Sequence, residues 1–172
     1  MYIDHDKKLV FIHIARTGGS SIKTALNLHD NQYNEHHHLD SSYIPKECKD
    51  YFKFAFVRNP FSRVASAYCE IMKYRKDLRD FLVVYKDSSF KNFLKLIKKN
   101  NHTHWMPMVN FFSKDKIDFL GRFENFERDL LTVEKTKDIN FSSQNFKNSH
   151  KFSDNYDYLK FYEDKENIEI VE

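Results

Sequence analysis

The sequence predicts an α/β fold: a single domain over residues 1–172 with a mainly parallel sheet flanked by helices. Short apolar runs typical of buried strands alternate with amphipathic helical patterns. With 172 residues and 41% hydrophobic composition, the chain is long enough for one core and too short for two comfortable domains. Its 17 Phe and 10 Tyr favour a packed interior. The alternation of strand and helix patterns becomes less certain after about residue 140, where Asn, Ser, Lys and Asp dominate.

The first strand is predicted at Leu9–Ile14, a continuous β-branched and aromatic run that suits a strand buried on both faces. The run stops at the polar, glycine-containing segment Ala15–Ser21. Beyond it, Ile22, Ala25 and Leu26 recur at helical spacing. The order is therefore strand, tight glycine turn and helix.

A second strand and helix follow the same plan. Phe54–Val57 is strand-like, Arg58 stands at its end, and Asn59-Pro60 is typical of a helix N-cap followed by proline at the first helical position. Arg63 and Ser66 lie off the apolar stripe of this helix, and Arg63 is interpreted as a surface residue or an inter-helix ion pair. The stripe has i, i+3, i+4, i+7 spacing and consists of Phe61, Val64, Ala65, Tyr68, Ile71 and Met72.

Three further elements complete the predicted fold. A helix is expected over Ser89–Lys99 and a strand over Ile117–Leu120. The segment Gly121–Glu124 follows that strand and leads into a last helix, whose apolar positions are Phe126, Leu130 and Val133. In parallel α/β sheets ligands bind beyond the carboxyl ends of the strands, so the residues after each strand are the candidates for function.

Composition excludes several classes of protein. The 28 Lys and Arg against 25 Asp and Glu give a net charge of +3, with the two signs interspersed, which argues against a nucleic-acid partner. The two cysteines, Cys48 and Cys69, lack metal-ligand spacing, so we expect reduced thiols and no metal site. Residues 1–8 are charged, and no apolar run approaches the roughly 20 residues of a membrane span. A cytoplasmic protein without stable membrane insertion is expected.

The paired glycines predict an anion site. The chain has only three glycines, and Gly18 and Gly19 stand together between a strand and a helix. Glycine lets backbone N–H groups approach a ligand, and phosphate or sulfate groups bind at such turns. An ordinary glycine-terminated turn is the alternative. The candidate ligand-binding residues of this loop are Arg16, Thr17, Gly18, Gly19, Ser20 and Ser21.

The loop differs from the nucleotide loop of ATPases and kinases. The pattern GxxxxGK[ST] is absent, and no acidic partner for magnesium stands out. A sulfonate group in transfer carries less charge than a phosphoryl group, so arginine and backbone donors suffice without a metal. The loop therefore favours a sulfate-bearing ligand.

Two segments, Phe11–Ser21 and Phe54–Tyr68, resemble the donor-binding motifs of the sulfotransferase family that includes heparan sulfate 2-O-sulfotransferases and many bacterial carbohydrate sulfotransferases. The resemblance covers about Lys8 to Asp129. It implies a P-loop-like fold and transfer of a sulfonate group from 3′-phosphoadenosine-5′-phosphosulfate (PAPS) to an acceptor hydroxyl, with 3′-phosphoadenosine-5′-phosphate (PAP) as product. The acceptor would be a carbohydrate: a polysaccharide, oligosaccharide or glycolipid.

The resemblance also implies residue roles. The glycine loop would hold the 5′-phosphosulfate, and Arg58 and Ser66 would hold the 3′-phosphate. Arg16 stands where the family usually has lysine, beside the sulfonate and its bridging oxygen, so its charge is kept and its geometry changed. A third segment, Asp118–Phe126, is similar to a block of the bacterial members and is expected near the adenosine or the acceptor, with core packing as the role of Phe123 and Phe126.

The general base is expected among three adjacent histidines between the two motifs. A neutral imidazole can accept the proton of the attacking hydroxyl, and the resembling enzymes use a histidine from this region. His38 is favoured by its spacing to the second motif, and His36 comes next, although His37 stays open. A metal-binding or merely solvated histidine run is the alternative. At the level of function, the alternatives are an inactive nucleotide- or glycan-binding domain and an atypical kinase.

Overall fold

Strands and helices alternate along the chain, as the sequence predicts for an α/β fold. The computed structural model describes residues 1–26, 38–74, 88–113, 116–139 and 157–171. Its strands are β1 (Tyr2–Asp4), β2 (Leu9–Ile12), β3 (Phe52–Val57) and β4 (Phe119–Arg122). Its α-helices are α1 (Gly19–Ala25), α2 (Pro60–Tyr74), α3 (Phe90–Lys99), α4 (Phe126–Lys137) and α5 (Lys165–Glu169). Short 3₁₀ helices lie at Ser41–Tyr43, Lys46–Cys48, Met108–Phe111, Phe123–Asn125 and Tyr158–Tyr162.

The chain divides into two compact units. The first comprises Met1–Arg58 and Pro107–Asn155, and the second comprises Asn59–Met106 and Tyr156–Glu172. The first unit contains the sheet with α1 and α4, and the second contains α2, α3 and α5. The expectation of one domain over the whole chain stays a prediction. Within the described residues, no helix has the length and apolar character needed to cross a membrane.

The sheet of the first unit has the strand order β1-β2-β3-β4. The pairs β2–β3 and β3–β4 are parallel, which confirms the mainly parallel sheet, whereas β1 is antiparallel to β2. Strand β1 is missing from the sequence prediction because it has only three residues, too few to show a periodicity, and charged residues follow it. Three parallel strands thus end at the same edge of the sheet.

Four predicted strand boundaries are wrong by two residues: the end of β2, the start of β3 and both ends of β4. Strand β2 ends at Ile12, and His13 and Ile14 already belong to the loop. Strand β4 begins at Phe119, because Asp118 pairs with β3 through its side chain. The Asp118 carboxylate accepts the Lys53 N–H at 2.7 Å, and the Asp118 N–H donates to the Lys53 carbonyl at 2.9 Å. The Asp118 side chain thus takes the place of one backbone hydrogen bond between β3 and β4.

The core of the first unit lies on one face of the sheet. Alternate residues of the strands, including Phe11, Phe54 and Phe56, point to this face and are fully buried. The helices α1 and α4 cover them with apolar side chains: Ile22, Ala25, Leu26, Phe126, Leu130 and Val133. This packing holds α1 against β2, so the loop between them is fixed at both ends.

The second unit is built on the predicted stripe of α2. Asn59 caps this helix by accepting the Ser62 N–H at 3.1 Å, as the Asn-Pro signal predicts. The stripe packs with the buried residues of α3, and the C-terminal segment completes the cluster. That segment forms the 3₁₀ helix Tyr158–Tyr162 and then α5.

Arg63 is buried in the second unit, so its interpretation as a surface residue is wrong. Its side chain is only 3% exposed, and the guanidinium donates to the carbonyls of Met106 at 2.8 Å and Thr103 at 3.2 Å. Burial lowers the pKa of Arg63 to about 10, which leaves it charged at neutral pH. Arg63 therefore holds the 103–106 loop against α2.

Replacing Arg63 by methionine is expected to lower the free energy of unfolding by about 1–3 kcal/mol, because two part-buried carbonyls lose charged donors while the apolar stem stays. Chemical denaturation measures the change. Lys98→Met, at an exposed position of α3, is the matched control and should stay within about 0.5 kcal/mol of wild type. Equal stability of the two variants would show that the Arg63 contacts do not hold this loop.

Candidate functional site

The loop after β2 is tightly wound. Arg16 and Gly18 both adopt left-handed backbone conformations, with φ of 67° and 89°. Such a φ is uncommon for a residue with a side chain, and strained conformations of this kind gather at functional sites. Thr17 is fully buried, and its hydroxyl donates to the Ile14 carbonyl at 2.8 Å. This hydrogen bond closes the loop on itself, and the contact of Thr17 with a ligand stays a prediction.

Both glycines of the loop are required by space. A Cβ at Gly18 would lie 2.5 Å from Cε2 of Phe126, in addition to the strain of its positive φ. A Cβ at Gly19 would overlap the imidazole of His13. An ordinary turn needs glycine for conformation alone, whereas here neighbouring side chains press directly on the backbone.

Backbone N–H groups stand at the start of α1. The N–H groups of Ser21 and Ile22 both donate to the Gly18 carbonyl, at 3.0 and 3.2 Å. Those of Gly19 and Ser20 precede the first intrahelical hydrogen bond, which is where helix N–H groups serve ligands. Ser20 is exposed and Ser21 is buried. Because α1 has only seven residues, any affinity of this turn for an anion would come from these local N–H groups and not from a helix dipole.

Arg58 meets the glycine loop, as the adjacent ends of parallel strands predict. It directly follows β3, and its guanidinium donates to the Arg16 carbonyl at 3.3 Å. Its backbone N–H lies 3.5 Å from Sδ of Met108. The structure therefore brings one arginine side chain onto the loop that carries the paired glycines.

An aromatic wall supports both parts of this arrangement. The Arg58 guanidinium lies over the ring of Phe123, 4.3 Å from its centroid. The same ring is 3.3 Å from the position of an added Cβ at Gly18 and packs beside Phe126. Phe126 is a core residue, as predicted. Phe123 is half-buried, packs against the same core cluster as predicted, and also contacts Arg58. Its place directly after a third parallel strand is the sequence signal that could have revealed this contact.

His38 lies against the residue that begins the loop. Its Nδ1 is 3.0 Å from the His13 carbonyl oxygen, and the two rings are 4.5 Å apart. A carbonyl can only accept a hydrogen bond, so Nδ1 carries the hydrogen, and the neutral ring then has its lone pair on Nε2. A histidine in this form presents a base at Nε2. The structure brings His38 to His13, the first residue of this loop.

The predicted roles of three site residues, His36, His37 and Ser66, stay predictions. His36 and His37 lie outside the described residues, so the alternative of a metal-binding run stays a prediction. Within the described ranges, no three His, Cys, Asp or Glu side chains are grouped as metal ligands. Ser66 is buried on α2 in the second unit, and its contact with a 3′-phosphate stays a prediction.

The chain belongs to the sulfotransferase family, whose model matches residues 1–167. The resemblance of the two motifs is thereby confirmed. One curated relative is carbohydrate sulfotransferase 14 of Danio rerio, 31% identical over 113 residues. The match covers 52% of this chain and 31% of the relative, so the chain spans about a third of the relative's length. No solved structure matches the chain significantly.

Proposed function

We propose that this protein transfers a sulfonate group from PAPS to a hydroxyl of a carbohydrate and releases PAP. The proposal is carried by the contact between Arg58 and the glycine loop at the ends of β2 and β3. In a member of the sulfotransferase family, this contact suits a ligand with anionic groups at two ends. A P-loop-like form of the fold is part of the proposal, and so is a reaction that needs no metal.

The glycine loop and Arg58 bind different ends of the donor, the 5′-phosphosulfate and the 3′-phosphate. The N–H groups of Gly19 and Ser20 hold the 5′-phosphosulfate. The loop keeps this form only with glycine at positions 18 and 19, because a Cβ at either position would clash with a neighbouring side chain. Arg58 exchanges its hydrogen bond to the neutral Arg16 carbonyl for one to the 3′-phosphate, and a hydrogen bond between two ions is roughly twice as strong. Phe123 keeps the guanidinium in place during this exchange.

The transfer is an in-line displacement at sulfur. The acceptor hydroxyl oxygen forms the new bond to sulfur as the bond from sulfur to the 5′-phosphate oxygen breaks, and PAP leaves with that electron pair. Nε2 of His38 takes the hydroxyl proton. Arg16 and the loop N–H groups stabilise the charge on the leaving oxygen and the sulfonate. A carbohydrate acceptor is supported by the name of the Danio rerio relative.

Thermal-shift titration with PAP, ATP and GTP tests the donor. A ligand that binds the folded state alone raises the melting temperature, and we expect PAP alone to do so. Transfer of labelled sulfonate from PAPS to a panel of glycans then tests turnover. Stabilisation by ATP with magnesium would favour a kinase instead. Binding of PAP without transfer to any acceptor would favour a binding domain. The arginine at position 16, where the family usually has lysine, would then be one reason for the lack of transfer.

Phe123→Leu is expected to weaken PAP binding by about twofold to thirtyfold, because a cation over an aromatic face is worth about 0.5–2 kcal/mol and leucine has no such face. Isothermal titration calorimetry measures the change. Phe52→Leu is the matched control: Phe52 is also half-buried in the first unit, and Lys137 lies 5.9 Å over its ring, at the amino end of β3. Equal losses of PAP affinity in the two variants would show that the effect comes from weaker packing of the first unit and not from the contact of Phe123 with Arg58.

A further inference from the structure

His13 contacts both the candidate base and the glycine loop. It directly follows β2, and its carbonyl oxygen accepts from Nδ1 of His38 at 3.0 Å. Its imidazole occupies the space where Gly19 would otherwise carry a Cβ. The two contacts use different parts of one residue, the backbone on one side and the ring on the other. The sequence assigned His13 to a strand and gave it no role.

The His13 ring is held from several sides. It lies 5.6 Å from the ring of Phe11, stacked within 28°, and 5.6 Å from the ring of Tyr2. Phe11 is buried in the core of the sheet, so this row of rings connects His13 to the core of the first unit. Gly19 contacts the His13 ring from the loop. The position of the His13 backbone is therefore fixed relative to β2 and to the start of α1.

This arrangement ties His38 to the loop. Since the ring of His13 is fixed against Gly19, its carbonyl oxygen is fixed too, and with it the Nδ1 atom of His38. The two imidazoles also touch, with centroids 4.5 Å apart and planes tilted by 50°. A shift of the His13 ring would move the base and the N–H groups of Gly19 and Ser20 relative to one another.

We propose that His13 is a positioning residue, which fixes the Nδ1–H form of His38 and the distance from its Nε2 to the glycine loop. The inference rests on the proposed function for its catalytic consequence, but the link between the two histidines stands without it. His13 itself exchanges no proton with the substrate. Its carbonyl selects the form of the base, and its ring sets the base's place.

Nitrogen-15 NMR of the histidine side chains tests the link without any activity. In wild type we expect neutral His38 with hydrogen on Nδ1, whereas the unconstrained ring prefers hydrogen on Nε2. His13→Ala keeps the carbonyl but frees the backbone from Gly19, so a share of the Nε2–H form should appear. His5→Ala is the matched control, because His5 is exposed and lies at the opposite end of β2.

Kinetics tests the consequence. His13→Ala should lower kcat by about 10- to 100-fold through misplacement of the base, while the Kd for PAP changes by less than about threefold. Dividing the rate by the concentration of PAP-binding sites corrects kcat for any loss of folded protein. Unchanged kcat in His13→Ala, or wild-type His38 with hydrogen on Nε2, would overturn the proposal. Absence of transfer in wild type would overturn the proposed function instead, and the NMR comparison would still decide whether His13 controls His38.

Discussion

His38→Ala is expected to lower the rate constant of sulfonate transfer by about 10²- to 10⁴-fold, the usual contribution of a general base. The reason is geometric. Nδ1 of His38 donates to the His13 carbonyl, which leaves Nε2 as the basic atom of the neutral ring. The affinity for PAP should stay within about threefold, because a base for the acceptor makes no contact that holds the donor. Single-turnover transfer of labelled sulfonate and calorimetric titration with PAP measure the two quantities separately.

Two variants sharpen this result. Tyr43→Ala is the matched control, since Tyr43 lies a few residues further along and is 61% exposed, and it should keep full activity. His36→Ala tests the second candidate. Full activity of His38→Ala would contradict the assignment, and loss of activity in His36→Ala alone would move the base to that residue.

Arg58→Ala is expected to weaken PAP binding by roughly 10- to 100-fold, because a hydrogen bond to a charged group contributes about 1.5–3 kcal/mol. Adenosine 5′-monophosphate lacks the 3′-phosphate and provides the sharper comparison. Its affinity should be nearly the same for wild type and Arg58→Ala. Arg58→Lys should recover only part of the loss, since lysine keeps the charge but not the planar fork that pairs with a phosphate and stacks on Phe123.

The control for Arg58 is another arginine at a strand end. Arg122 is the last residue of β4 and is exposed, so Arg122→Ala removes the same charge from the same edge of the sheet. It should change PAP affinity by less than about threefold. Equal losses in both arginine variants would indicate general electrostatic attraction in place of a specific phosphate contact. Equal losses for PAP and adenosine 5′-monophosphate in Arg58→Ala would assign Arg58 to another part of the nucleotide.

Local signals in the sequence predicted most of the fold and the frame of the candidate site. The apolar run of β2, the Gly18-Gly19 turn, the Asn59-Pro60 helix start and the stripe of α2 each depend on neighbouring residues, and each has its predicted place. The adjacency of Arg58 and the loop followed from one general rule of parallel sheets. These features need no knowledge of which distant residues touch.

Several of the side-chain contacts that sequence reasoning missed join residues far apart in the chain. Phe123 supports Arg58, and His13 contacts His38, across stretches of chain that no periodicity connects. Arg63 has the composition of a surface residue, yet the carbonyls of a loop far along the chain receive its guanidinium. The Thr17 hydroxyl donates to the Ile14 carbonyl in the loop that turns at Arg16, a contact that no sequence pattern predicted.

A crystal structure of the protein with PAP bound is the most direct test of the account. The account predicts the 5′-phosphate on the N–H groups of Gly19 and Ser20, and the 3′-phosphate on the Arg58 guanidinium, released from the Arg16 carbonyl and still over Phe123. A nucleotide bound elsewhere, or one that reaches the glycine loop while Arg58 remains on the Arg16 carbonyl, would contradict it.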